Sequence, residues 1–104
     1  FCHVFDAVDA IISLIRCEDA IGGVFNVGGT EEISILDLAK KIINLTNSNS
    51  KIVNKSFEEI YGKGFEDMEK RIPNISKVRD LTNWSPKLGL DRILMDALNQ
   101  KITK

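Results

Sequence analysis

The sequence predicts an α/β fold, a small and partly parallel sheet with about four helices. Short apolar runs of β character, Phe1–Phe5, Val24–Val27 and Lys51–Phe57, alternate with longer segments whose apolar residues recur at helical spacing. A strand, a crossover helix and a second strand make a βαβ unit, which implies parallel strands and a right-handed crossover.

Phe1–Phe5 runs straight into Asp6. Beyond it, Val8, Ile11, Ile12 and Ile15 form the i, i+3, i+4, i+7 stripe of an amphipathic helix. Asp6 is its expected N-cap, and Asp9 adds negative charge where the helix dipole favours it. This helix ends before Gly22-Gly23. Val24–Val27 is expected to be a buried strand ending at Gly28-Gly29-Thr30. The next helix opens at Ser34, with Asp37 three residues on as a capping box. Its buried seam is Ile35, Leu38, Ile42 and Leu45, with Asp37, Lys40, Lys41 and Asn44 facing water. Asn47–Ser50 is a polar turn, and Lys51–Phe57 reads as a strand.

From Tyr61 to Pro86 the chain is first turn-rich and charged. Gly62 and Gly64 bracket Lys63, and Asp67, Lys70 and Arg71 follow. Pro73 and Asn74 then set up a helix start, since proline biases its neighbour away from helix and an Asn side chain accepts from a first-turn N–H. The helix Ile75–Thr82 buries Ile75, Val78 and Leu81, and Trp84 and Pro86 close it off. Leu90–Lys101 is the last helix, with Ile93, Leu94, Ala97 and Leu98 apolar. There is no internal repeat, low-complexity tract or linker.

With 104 residues, 43% of them hydrophobic, the chain has the size and composition of one domain with a real core. A net charge of −1 and a pI near 5.8 argue against a nucleic-acid partner, which would call for a basic stripe. No apolar run approaches the ~20 residues of a membrane span, and neither a membrane span nor a signal peptide is expected within these residues. Cys2 and Cys17, without a C-x-x-C or a histidine cluster, fit a reduced, cytoplasmic chain better than a disulfide or zinc scaffold. Because it begins at Phe1 without a methionine, the chain reads as a piece of a longer protein.

Cations fixed between glycines and a proline-started helix suit a phosphorylated ligand; the alternative is a solvated charged loop. A dinucleotide fingerprint needs G-x-G-x-x-G or G-x-x-G-x-x-G between a strand and a helix. Glycines at positions 22, 23, 28, 29, 62, 64 and 89 satisfy neither spacing.

The run Y-G-K-G-F-E-D-M-E-K-R-I-P-N-I-S-K resembles the C-terminal signature of the extended short-chain dehydrogenase/reductase family, the NAD-dependent nucleotide-sugar epimerases, dehydratases and decarboxylases. Its core of Asp67, Arg71, Pro73, Asn74 and Ile75 is closest to UDP-glucuronate decarboxylases and UDP-glucose 4-epimerase-like proteins. Asn83-Trp84-Ser85-Pro86 resembles the family's L-G-W-x-P, with Asn83 in the glycine place, a departure that weakens the helix C-cap. Phe1, His3, Val4 and Asp6 match the family's R-x-F-x-H-V-x-D, whose arginine falls two residues before Phe1. Val24–Gly28 resembles V-F-N-V-G. The family's catalytic Y-x-x-x-K is absent, because four residues after Tyr61 stands Phe65.

The resemblance implies that residues 1–104 are the nucleotide-sugar-binding C-terminal subdomain of an epimerase or dehydratase whose N-terminal Rossmann domain lies elsewhere. It implies a UDP-sugar ligand, isomerase or related chemistry through NAD in the full-length protein, and neither NAD binding nor turnover by this chain alone. Two alternatives stand beside it: a UDP-glucuronate decarboxylase-type lobe, and a non-catalytic binding module that has lost its catalytic half. A homodimeric parent is compatible with the resemblance, though the family's dimer helices belong to the other lobe.

The resemblance also implies residue roles. Arg71 contacts the sugar or acts near the reacting carbon, a guanidinium gripping phosphate or carboxylate in two places at once; the alternative is a surface pair with Glu69 or Asp67. Phe65 falls where relatives stack an aromatic on uracil, and keeps the face without the hydroxyl; the alternative is core packing. Lys63 offers a point charge to the diphosphate or is a loop-tip lysine. Asp67 holds the ribose hydroxyls or anchors the loop. His3, the one histidine, is expected to be buried and satisfied rather than catalytic.

Overall fold

The computed structural model of the chain describes residues 1–56, 60 and 72–100. The chain divides into two compact units, one formed by Phe1–Glu32 with Ile72–Lys104 and the other by Ile33–Arg71. The α-helices with described bounds are α1 (Val4–Ile15), α2 (Ile35–Thr46), α3 (Ser76–Thr82) and α4 (Leu90–Asn99), with a 3₁₀ turn at Glu18–Ala20.

Among the described residues there is no strand and no sheet, which overturns the α/β expectation. β-propensity measures how well a side chain fits a pleated, half-buried surface, and it makes a strand only where a neighbouring backbone supplies a ladder. Here the backbone bonds outside the helices are turn and cap bonds, such as Ser48 N–H to Ile43 C=O at 3.2 Å. Val24–Val27 has no ladder partner among the described residues, and its Val24 carbonyl accepts from Lys77 Nζ. Phe25 and Val27 pack on the core, while Val24 remains 81% exposed. Residues 51–56 are likewise without strand structure, and Phe57 lies outside the described residues. Helix geometry already begins at Val4, so Phe1–Phe5 is not a strand either. Without those strands the described residues hold no βαβ unit.

In the first unit, α1 and α3 meet around Ala10, Ile75, Val78 and Trp84, with Leu14, Phe25 and Val27 packed alongside. The face that α1 buries is not the predicted one. Val8, Ile11, Ile12 and Ile15 are exposed, Ile15 to 78%. The buried positions are His3, Asp6 and Ala10. Apolar spacing correctly indicated a helix here, but its inner face is set by polar anchoring.

That anchoring begins at the helix start. His3, not Asp6, is the N-cap: its Nδ1 accepts from Phe5 N–H at 3.0 Å. Asp6 stands in the first turn, 3% exposed, and its Oδ2 accepts from the Lys87 and Leu88 amides at 3.1 and 2.9 Å. Its backbone carbonyl accepts from Trp84 Nε1 at 3.0 Å. One aspartate thus closes the segment after α3 onto α1.

The remaining helix ends follow local chemistry. Asn74 Oδ1 accepts from Ser76 N–H at 3.0 Å and from the Ser76 hydroxyl, starting α3 as Pro73-Asn74 predicts. Asn83 ends α3 in the left-handed region (φ 60°), where asparagine substitutes for glycine at modest cost. The first amide of α4, Leu90 N–H, is accepted by Glu31 Oε2 at 3.1 Å, a cap delivered from a distant segment. Described helix ends at Asn99 rather than the predicted Lys101, which lies outside the described residues.

The second unit holds α2. Ser34 caps it as expected, Oγ accepting from Asp37 N–H at 3.0 Å, and Asn47 ends it with φ 50°. No residue of α2 is buried. Of the predicted seam, Leu38 is half-buried while Ile35, Ile42 and Leu45 are exposed. Ile35, Ala39, Ile43, Ile52 and Val53 help line an open apolar groove of about 600 Å³.

Candidate functional site

The four residues that the sequence singles out for ligand binding, Lys63, Phe65, Asp67 and Arg71, lie outside the described residues, as does Tyr61. What is placed is the ground that this stretch rejoins, Ile72 onward, and it is tightly built.

Pro73 seats its ring against Gly28. A Cβ on Gly28 would stand 2.7 Å from Pro73 Cγ, so the proline occupies the space a side chain would need. Next to it, a Cβ on Gly29 would stand 1.7 Å from the Phe1 carbonyl oxygen, closer than any non-bonded pair tolerates. Three segments distant in sequence therefore converge, the Phe1–Cys2 main chain on Gly29 and the Pro73 ring on Gly28. Gly28 is thus required by the proline, and neither glycine here has positive φ.

Around this junction the polar groups are held rather than free. Lys77 Nζ donates to Val24 C=O at 2.8 Å and sits 4.8 Å from the centroid of the Phe25 ring. His3 is 5% exposed with both ring nitrogens engaged, Nδ1 by Phe5 N–H and Nε2 by Asp96 Oδ2 at 2.7 Å. It is buried and satisfied. Arg92 Nε bonds both oxygens of Asp96 at 2.9 and 3.0 Å. The His3 bond, and after it the Arg92 bond, hold the Asp96 carboxyl below its ordinary range. Burial, followed by the charge of Asp6, pushes the Cys2 thiol up and away from thiolate reactivity.

Asp96 is the polar residue that sequence reasoning missed. Its spacing from Arg92 signals a helical ion pair, but nothing local signals a histidine 93 positions away. Among the described residues no group of three or more His, Cys, Asp or Glu side chains is arranged to hold a metal ion. No described helix is long and apolar enough to cross a membrane.

The described residues show no cradle of the kind that a dinucleotide's diphosphate needs. The dinucleotide glycine spacing is missing, and the space beside Gly28 and Gly29 is filled by Pro73 and Phe1 of the chain itself.

No protein-family model matches the chain. Individual proteins do. The chain is 35% identical over 98 residues to a UDP-N-acetyl-alpha-D-glucosaminuronate decarboxylase of Bacillus cytotoxicus, an alignment covering 94% of the chain and 30% of that protein. It is 31% identical over 112 aligned positions to UDP-D-apiose/UDP-D-xylose synthase 2 of Arabidopsis thaliana, covering 99% of the chain and 29% of the relative. To the bifunctional polymyxin resistance protein ArnA of Wigglesworthia glossinidia brevipalpis it is 29% identical, across 95% of the chain and 17% of the relative. The chain thus spans less than a third of the length of each of these relatives. Matched over almost its whole length, and carrying the Asp67–Ile75 signature, the chain belongs to the extended short-chain dehydrogenase/reductase family of NAD-dependent nucleotide-sugar epimerases and dehydratases, corresponding to a C-terminal part of its members.

Proposed function

We propose that this chain is the substrate-binding part of an NAD-dependent enzyme acting on UDP-linked sugars. The observation that carries this reading is the similarity, across almost the whole chain, to two proteins whose names both specify UDP-sugars. In it, Arg71 grips the diphosphate or a sugar carboxylate, Phe65 stacks on the base, Lys63 supplies a point charge and Asp67 holds the ribose hydroxyls. Pro73 on Gly28 gives the stretch after Arg71 a fixed footing. Redox chemistry is left to the remainder of the longer protein, which binds NAD and transiently oxidises the sugar.

Epimerisation is one branch open to such an intermediate. Decarboxylation is favoured by a specific observation: the relative at 35% identity is named as a decarboxylase. An arginine near the reacting carbon suits a carboxylated sugar, since its planar fork matches a carboxylate.

Calorimetric titration of the full-length protein with UDP-glucuronate tests the reading. Arg71→Ala is expected to weaken binding about ten- to a hundredfold, the loss of a hydrogen-bonded charge contact of about 1.5–3 kcal/mol. Unchanged affinity and rate would remove Arg71 from the site. Equal binding of thymidine and uridine diphosphates would remove the base preference.

A further inference from the structure

We propose that the N-terminus of α1 is a pH-responsive cap, in which protonation of His3 releases the helix start while leaving the ring attached to α4. The proposal needs nothing from the functional reading.

Its basis is the double engagement of one buried ring. A backbone N–H can only donate, so the bond from Phe5 N–H makes His3 Nδ1 an acceptor without a proton. The proton is then on Nε2, which donates to Asp96 Oδ2. Only this neutral tautomer closes both bonds. An imidazolium carries hydrogens on both nitrogens, and Nδ1–H would point at Phe5 N–H, donor against donor.

One of the two bonds must then open, and their strengths decide which. The Nε2 bond, already assisted by the Asp96 carboxylate, gains the charge of the imidazolium as well, and Arg92 keeps Asp96 in place. The cap becomes repulsive, and a cation at a helix N-terminus also opposes the dipole. The ring therefore stays with Asp96 and Phe5 N–H loses its acceptor.

The charged and titratable groups around the ring come from each neighbouring element. Asp96, and through it Arg92, face it from α4. Cys2, which directs its thiol to the His3 carbonyl, adjoins it in the leading segment. Asp6 follows it on α1, but its Oδ2 takes the Lys87 and Leu88 amides. These bonds, and Ala7 N–H to His3 C=O at 3.1 Å, confine the change to the first turn.

α2 provides an internal control, because the Ser34 hydroxyl capping Asp37 N–H does not titrate. The experiment is amide hydrogen exchange by NMR, corrected for the intrinsic pH dependence, with the His3 ring signals followed in the same samples. Protection of the Phe5 amide is expected to fall about tenfold in step with ring protonation, a cap loss of about 1.4 kcal/mol, while that of the Asp37 amide stays constant. In His3→Asn, whose Oδ1 accepts at every pH, the Phe5 response is expected to vanish. A Phe5 amide whose protection ignores ring protonation would overturn the proposal, as would a ring that stays neutral across the native pH range. An identical response in His3→Asn would overturn it too.

Discussion

In the unit formed by Phe1–Glu32 and Ile72–Lys104, side chains from well-separated segments, Ala10, Ile75, Val78 and Trp84, close on one another. In the Ile33–Arg71 unit, α2 has the cleaner amphipathic pattern of the two long helices and buries none of its residues. The polar bonds at the helix starts differ as well. α1 is tied to distant segments through Trp84 Nε1 on the Asp6 carbonyl, the Lys87 and Leu88 amides on the Asp6 carboxylate, and His3 on Asp96. At the two ends of α2 the bonds are local: Ser34 to Asp37 at one and the Thr46 hydroxyl to Ile42 C=O at the other. Helical periodicity makes a helix, and long-range polar bonds decide which side of it is covered. α1 shows both at once, with its apolar stripe outside and His3, Asp6 and Ala10 inside.

The strongest way to break this comparison is to truncate one apolar side chain from each unit. Trp84→Ala is expected to cost about 3–5 kcal/mol in urea unfolding followed by circular dichroism, since it removes a buried ring and the bond to Asp6. Ile42→Ala, on an exposed position of α2, is expected to cost less than about 1 kcal/mol. Comparable losses would mean that the units do not differ as described.

Asp6 sharpens the polar half of the comparison. Asp6→Ala strands two amides and is expected to cost about 2–3 kcal/mol. Asp6→Asn is expected to cost only about 1 kcal/mol, because both amides share Oδ2 and one amide oxygen can replace it. If both variants unfold at the wild-type urea midpoint, Asp6 does not anchor the segment after α3.

The smallest expected effect is at Asp96, whose carboxyl is held down first by His3 and then by Arg92. A group whose folded pKa is lowered adds stability above the ordinary carboxylate range and loses it as the pH falls through the folded value. Wild type should exceed Asp96→Asn in thermal midpoint near neutrality, with the gap closing as the solution is acidified below the usual range for Asp. A gap constant down to the lowest pH would show that the interaction with His3 carries no charge-dependent part.

What the sequence made legible is what is decided within a few residues. The Ser34 cap, the Pro73-Asn74 start of α3, and the burial of Ile75 and Val78 followed from local spacing, while Leu81, expected on the same buried side, is exposed. Asn83 in the glycine place is in the left-handed conformation that the family's glycine would adopt freely. The sheet was misjudged because alternation and β-branching describe a candidate for pairing, whereas a ladder requires a second backbone that no local window contains. Asp6 was misjudged for a related reason: an aspartate near a helix start caps by default, until a distant pair of amides claims it. Of the candidate site, the loop chemistry at Lys63, Phe65, Asp67 and Arg71 was legible as a motif alone, while the junction of Phe1, Gly28, Gly29 and Pro73 was visible only in three dimensions.

That junction also constrains how the molecule can vary. Because one glycine is closed by a proline ring and the next by a main-chain carbonyl, the three strands of chain crossing there cannot be adjusted separately. A larger residue at position 28 or 29 would wedge the crossing apart and carry the leading residues and the start of α3 with it. Positions 28 and 29 are therefore expected to hold glycine, and position 28 to change only together with the proline at 73.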